Sequence, residues 1–418
     1  MDEYDDDATA RAGEFGSRQM AGFKPFYQFI APTRVIAGYD LIGGIGFEFA
    51  KEGAKRVLIV TDQVLRETGL VDRVIAGVED GGLEVAGIVD GVPQDSDAGV
   101  VMRTAEAGHE HGADSILAVG GGSVMDTAKV ANVIFVHGGD PRGWEGYFGL
   151  PRDDDGQGRP QELAPLACIP TTAGTGSEVS FVAVVKDRDA HVKFQIGDIP
   201  MYPRLALLDP ESTRTLPVKL AASTGMDAMT HAIEGYVSSE WNPHSDAYAM
   251  AALRLLRDNL HRAFEHPADD EARGNMLIAA NLAIQPTSSS AIGIAHSMSH
   301  ACGAHCDVPH GVANAINLPW VIEFNAAGGD EIAARYRDVN DVFGLETGGS
   351  AEAVGHALGE HVRQLVASLG LPTRLSQVGV TEASIDLLVD GAMGDACTLV
   401  NPRDTSEEEF AELYRLAL

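Results

Sequence analysis

The chain reads as an α/β half followed by an all-helical half. Three observations carry this: short apolar runs alternate with helical periodicity as far as about residue 210, β-branched runs then stop after Asp209-Pro210, and Ala/Leu/Met-rich segments at helical spacing fill the remainder. The runs Arg56–Val60, Leu83–Val92, Ser115–Val119, Leu166–Pro170 and Leu205–Leu208 predict strands of a parallel sheet, with amphipathic crossovers such as Gly99–His111 between them. Helices are expected over Pro217–Val237, Ser245–Phe264, Asp270–Ile284, Ile332–Val342, Ser350–Leu369 and Glu407–Leu418. Residues 1–22 are acidic, Gly-rich and aperiodic, which argues for a disordered leader. The α/β unit is then expected over 23–212 and the helical unit over 213–418, sharing one interface with a cleft between them.

A length of 418 residues suits two domains and leaves ample core for a buried site. No stretch reaches the ~18–20 apolar residues of a bilayer-spanning helix, and the N-terminus is acidic where a signal peptide is basic, so a cytoplasmic protein is expected. The cysteines, Cys168, Cys302, Cys306 and Cys397, form no CxxC pair and read as reduced thiols. A net charge of −31 disfavours nucleic acid and anionic membranes as partners. With 61 acidic against 30 basic residues, the surface is either salt-adapted or the product of a GC-rich genome that favours Arg over Lys.

Two loops point to an anionic ligand. Ser115–Val119 runs into Gly120-Gly121-Gly122-Ser123, then into a helix carrying Asp126 and Lys129. Glycines let a ligand approach the backbone, and free amides at a helix start favour a diphosphate. The pattern is not GxGxxG, so a standard Rossmann assignment does not apply. A second loop, Pro170-Thr171-Thr172-Ala173-Gly174-Thr175-Gly176-Ser177-Glu178, follows a strand and offers hydroxyls to ribose, phosphate or an amide. Asp62, just past Val57–Val60, can accept from ribose hydroxyls and repel a 2′-phosphate; it also suits an N-cap for the helix from Gln63, and the two roles are compatible.

The second half carries a metal pattern. Asp227 and His231 stand four apart on an expected helix and project from one face. Farther on, His296, His300, His305 and His310 crowd into fifteen residues, with His296 and His300 on one helix face. Pro309 is expected to end that helix and let His310 open the next. One Asp and three His make an O/N ligand set suited to Fe2+ or Zn2+, with room for a substrate oxygen.

GGGSVMDTAK, PTTAGTGSE, GMDAMTHAIEGYVS and HSMSHACGAHCDVPHGVANA, in this order, resemble the iron-containing (group III) alcohol dehydrogenases of dehydroquinate-synthase-like architecture. The resemblance runs from about residue 30 to the C-terminus. It implies a metal held by Asp227, His231, His296 and His310. It also implies cofactor contacts at Asp62, Gly121, Gly122, Thr171, Thr172, Thr175 and Lys193, to which the Gly-rich loop adds Gly120 and Ser123, with Asp126 and His300 near the nicotinamide. Three departures stand out: Val92-Pro93-Gln94-Asp95-Ser96 replaces a Pro-Asn-Pro-type element, Gln285–Ile292 replaces an Ala/Gly/Phe/Asn-rich helix, and His305 replaces an apolar residue. The last two are expected to reshape the substrate pocket.

The expected activity is therefore hydride transfer between a primary alcohol or diol and NAD, NADP being the less favoured cofactor, assisted by Fe2+ or Zn2+. His300 is a candidate catalytic proton relay or a support for the metal site, and Asp126 a second candidate catalytic group. The partners expected are a small alcohol or aldehyde and a second copy of the chain in a dimer. Rival readings are a glycerol dehydrogenase-like polyol enzyme, a metal-independent reductase of the maleylacetate type, and a metallohydrolase, which would need neither loop.

Overall fold

A computed structural model describes residues 26–153, 158–188 and 192–418, so the expected leader lies outside the described residues. The strands are β1 (Arg34–Ala37), β2 (Arg56–Val60), β3 (Glu84–Val89), β4 (Ser115–Gly120), β5 (Gly146–Tyr147), β6 (Leu166–Pro170), β7 (Val182–Asp187), β8 (Val192–Gly197) and β9 (Leu205–Leu208). Six form one parallel sheet in the order β1-β9-β6-β4-β2-β3. Every residue of β4, β6 and β9 is buried, as continuous apolar runs are when helices cover both faces of a sheet. The chain passes from β2 to β3 on one side and to β4 on the other, so the C-terminal ends of β2 and β4 flank a topological switch point. Asp62 and Gly120-Gly121-Gly122 lie at those ends.

The sequence reading did not anticipate β1 or the small sheet β5-β8-β7, in which β7 and β8 form an antiparallel pair. β7 alternates half-buried and buried residues and carries Lys186 and Asp187, so it lacks the apolar continuity that marks the central strands. The run expected over Leu83–Val92 pairs only as far as Val89.

The helices used below are α1 (Gly122–His137) in the first half and, in the second, α2 (Val218–Val237), α3 (Pro243–Glu265), α4 (Asp270–Ile284), α5 (Ile294–Cys306) and α6 (His310–Ala326). Helices Asp330–Phe343, Ala351–Ser368 and Glu407–Ala417 also fall where periodicity places them; Ile385–Met393 was not anticipated. Residues 225–237 of α2 are all buried, which makes it the central helix of this half. α5 ends three residues before Pro309: Asp307 turns left-handed at φ 53° and its N–H bonds to Cys302 O. Pro309 is instead the residue before α6, whose first residue is His310. This correction matters because the left-handed turn, not the proline, reverses the chain and returns His310 towards His296. No helix among the described residues is long and apolar enough to cross a membrane.

Candidate metal centre and cofactor cleft

A cavity of about 500 Å³ lies between the halves. On the α/β side it is lined by Gly122, Ser123, Asp126, Thr175 and Lys193. The helix start of α1 has Gly121 as its N-cap residue and no side-chain cap, leaving first-turn amides available to an anion. Ser123 does not cap the helix; its hydroxyl donates to Gln94 O and ties the turn to the segment preceding the crossover Ala98–Glu110. A Cβ on Gly122 would stand 2.8 Å from Thr175 Cγ2, so the Gly turn and the Thr loop close on each other only without a side chain there. Gly176 holds φ +61° and leaves no room beside Ile284 of α4, which seats the Thr loop on the helical half.

Gly120, Gly121, Thr171, Thr172 and Asp62 lie outside the cavity lining. Thr171 N–H bonds to Gly120 O at 3.0 Å, so the two loops are joined behind the cavity wall. Asp62 is the N-cap of the short helix Gln63–Glu67, accepting from Leu65 N at 2.9 Å. Lys193 pairs with Asp95 at 3.0 Å, inside the segment that departs from the family pattern.

Asp126 reaches the cavity, but both its oxygens are engaged: Oδ1 accepts from Ser177 Oγ at 2.7 Å and Oδ2 from Val184 N at 3.0 Å. Burial pushes its carboxyl up, against the pull of Lys129. Lys129, which the sequence reading left unassigned, is fully buried and donates to Ser177 Oγ at 2.8 Å and Val182 O at 2.9 Å.

The helical half brings together Asp227, His231, His296 and His310. One donor atom each of Asp227, His231 and His296 lies within 4.8 Å of the others, and all three residues are buried. Asp227 Oδ1 stands 3.6 Å from His296 Nε2 and 3.3 Å from His310 Nε2. The His231 and His296 rings stack at 4.5 Å, with His310 at 5.4 Å from His296. His231 Nδ1 and His296 Nε2 are buried with no hydrogen-bond partner among the described residues. Unanswered buried ring nitrogens beside a carboxylate fit a cation ligand set. Fe2+ or Zn2+ suits these donors.

The electrostatics agree. Burial raises the Asp227 carboxyl, but His231 and His310 outweigh it and hold it well below the usual range. Burial takes His231 down to about 3, whereas His296, also lowered by burial, is pulled up to about 9 by the adjacent carboxylates of Asp227 and Glu234. Two buried carboxylates thus bracket His296 with an excess of negative charge that a divalent cation would neutralise.

Glu234 was missed, although it sits three residues beyond His231 and seven beyond Asp227, on the same face of α2. Its Oε2 lies 2.6 Å from His296 Nδ1 and its Oε1 accepts from Ala295 N at 2.7 Å. Asn314 was missed as well; four residues past His310, it donates to Asp227 Oδ1 at 2.8 Å. So was Asp395, whose Oδ2 is 2.7 Å from His300 Nδ1. His300 lines the cavity and its ring stacks on His310 at 5.2 Å. Thr287, Ser288 and Ser289 line the cavity as expected of the altered segment, but their hydroxyls bond back to Ile284 O, Gln285 O and Pro286 O. His305 does not reshape the pocket: it lies outside the lining and packs over Gly391.

A cavity beside the Gly turn of a parallel sheet, walled on its other side by helices bearing an Asp/His cluster, is an arrangement suited to a metal-assisted, nucleotide-dependent enzyme. Residues 32–210 match the family described as "Iron-containing alcohol dehydrogenase" and residues 221–418 its counterpart, "Fe-containing alcohol dehydrogenase family, C-terminal". The NAD-dependent methanol dehydrogenase of Bacillus methanolicus is 33% identical over 392 residues, covering 93% of this chain and 99% of the other. A solved 1,3-propanediol oxidoreductase superposes with a TM-score of 0.88 at 32% identity, covering 94% of this chain and all of its own. An archaeal halo-thermophilic alcohol dehydrogenase from a Red Sea brine pool gives 0.84 at 26% identity, covering 95% and 100%. The chain belongs to the iron-containing alcohol dehydrogenase family and is a nicotinamide-dependent oxidoreductase that interconverts alcohols and aldehydes.

Glu234→Gln keeps an acceptor for Ala295 N–H but removes the charge facing His296. Metal affinity is expected to fall by roughly 10–100-fold, the usual loss when a carboxylate behind a ligating histidine is removed. Metal content after dialysis against graded chelator checks this; a variant that retains metal like the parent contradicts it.

Proposed function

We propose that Asp227, His231, His296 and His310 hold Fe2+, with Zn2+ the alternative, and that the enzyme acts on a primary alcohol or diol with NAD. The observation that carries this is the buried cluster of unanswered His nitrogens around Asp227, opening onto a cavity whose other wall is the uncapped start of α1. A bound divalent cation would lower the pKa of a substrate hydroxyl and polarise a carbonyl, while the hydride step belongs to the nicotinamide. The remaining work falls to the chain. First-turn amides of α1 at Gly122 and Ser123, with Thr175 and Lys193, would seat the dinucleotide. Asp62, Gly120, Gly121, Thr171 and Thr172 would shape and support that seat from beside the cavity. His300, on the cavity wall and oriented by Asp395, is placed to pass the hydroxyl proton. Asp126, with both oxygens occupied, has a positioning role rather than a proton-transfer role. The domains would meet near residues 212/213.

His310→Ala is expected to lose metal and turnover while still binding NADH, because the metal cluster and the nucleotide loops sit on different halves. Metal analysis together with NADH fluorescence titration tests this, and full turnover in a metal-free variant would sink the mechanism.

Preference for NAD over NADP would follow if Asp62, beyond its capping bond, meets the ribose. Asp62→Gly is then expected to narrow the NAD:NADP ratio of kcat/KM about tenfold, the roughly 1–2 kcal/mol of one partly screened charge contact. An unchanged ratio leaves Asp62 a helix cap only.

We further propose a cytoplasmic, dimeric, salt-adapted enzyme. Support for the dimer is that β1 ends the large sheet among the described residues, and that Tyr39 and Phe47, soon after it in the chain, are exposed. Support for salt adaptation is the charge of −31 and the likeness to the brine-pool enzyme. Self-repulsion reaches ~30 Å at 0.01 M salt and only ~3 Å at 1 M. Melting temperature and activity are therefore expected to rise with NaCl over that range, more than with a non-ionic osmolyte at matched osmolality. A flat or falling trend makes the acidity compositional.

A further inference from the structure

We propose that His300, Asp395 and Cys397 form a second divalent-cation site, of zinc type, on the cavity wall beside the first centre, and that filling it blocks turnover. One donor atom of each lies within 4.8 Å of the others. Imidazole, carboxylate and thiol together make an N/O/S set that Zn2+ favours, at bond lengths of about 2.0–2.3 Å. In a tetrahedral site donors at those lengths stand roughly 3.3–3.8 Å apart, so each donor moves by about an ångström or less.

The three residues are held in place without an ion. His300 sits in the middle of α5. Asp395 is the N-cap of the 3-10 turn Ala396–Val400, and its Oδ1 accepts from Cys397 N at 2.9 Å, fixing the carboxylate relative to the thiol's own backbone. Thr398 bonds to Ser297 Oγ at 2.9 Å and to Ala392 O at 2.8 Å, pinning the turn to α5 and to helix Ile385–Met393. His300 and Cys397 both line the cavity, so an ion and an outer ligand can enter from the substrate side. Binding would release the Cys397 thiol proton to solvent, and the imidazole proton in the Asp395 hydrogen bond would shift to the other ring nitrogen. His300, stacked at 5.2 Å on His310, would then be unable to serve the substrate.

The test rests on assigning the first ion to Asp227, His231, His296 and His310, a set without sulfur, so sulfur ligation reports only the second site. The metal-loaded enzyme is titrated with Co2+ while near-ultraviolet thiolate-to-cobalt charge transfer and bound metal per chain are followed. The expected result is a second bound equivalent that brings the band with it. Cys397→Ser and His300→Ala each lose the band and that equivalent but keep the first. Cys306→Ser keeps both. His231→Ala loses the first equivalent and keeps the band; if it retains both, the assignment of the first site fails, while the Cys397 result still decides the second. Zn2+ inhibition of the parent is expected to weaken about tenfold or more in Cys397→Ser. Absence of the band at saturating Co2+, or its survival in Cys397→Ser, overturns the proposal.

Discussion

The contact on which the site depends is Glu234 gripping the start of α5. That helix begins after Gly293, which offers no side-chain cap, so its first-turn amides must be answered from elsewhere. Glu234 reaches across from α2 to take Ala295 N–H and the His296 ring together, placing a carboxylate at the positive end of α5. A Cβ on Gly293 would stand 2.9 Å from Glu234 Oε1, which explains the glycine. Once α5 is anchored there, His296 faces Asp227, His300 follows one turn later, and the left-handed Asp307 brings His310 back. Burying Asp227, His231 and His296 between the packed faces of α2 and α5 costs several kcal/mol unless each is answered, so the cluster is stable only as a whole.

A second buried set joins the two halves. Lys129 of α1 holds Ser177, Ser177 donates to Asp126, and the neighbouring Glu178 accepts from Asn281 of α4 at 3.0 Å. Burial pushes the Asp126 and Glu178 carboxyls up and the Lys129 ammonium down, so each charge there requires the others. Removing one member would leave an uncompensated buried charge, the costly case for such networks. The helix start proposed to meet the diphosphate and the helices bearing the metal cluster are thereby kept in register through groups that need contact neither ligand.

What could be read from the sequence was whatever is local along the chain. The i, i+4 pair Asp227/His231, four histidines in fifteen residues and two Gly-rich loops after apolar strands announce themselves by spacing. Glu234 and Asp395 act on histidines 62 and 95 residues away, and periodicity gives a residue's face without naming the neighbour it meets. His305 illustrates the same limit, since its helix turns it towards Gly391 and away from the cavity. Lys129 drew no assignment because its burial comes from the packing of β7 and the Thr loop over α1, which spacing along the chain does not show. The antiparallel pair β7 and β8 was missed because half-buried strands interrupted by charges imitate loops.

The acidic surface and the cleft also answer to different ranges of the same force. A dinucleotide is an anion and approaches a chain of net charge −31. At about 0.15 M salt that field is screened beyond about 8 Å, so approach is only weakly opposed, whereas contacts inside the cavity are little screened. There fixed positive groups stand among the cavity's aspartates: uncapped amides open α1, and Lys186 and Lys193 line the wall, paired with Asp307 and Asp95. If the diphosphate seats on α1 as proposed, its binding is governed by these fixed groups within a few ångströms. The surface can then gather acidic residues without weakening the site, provided the salt around it is enough to screen them.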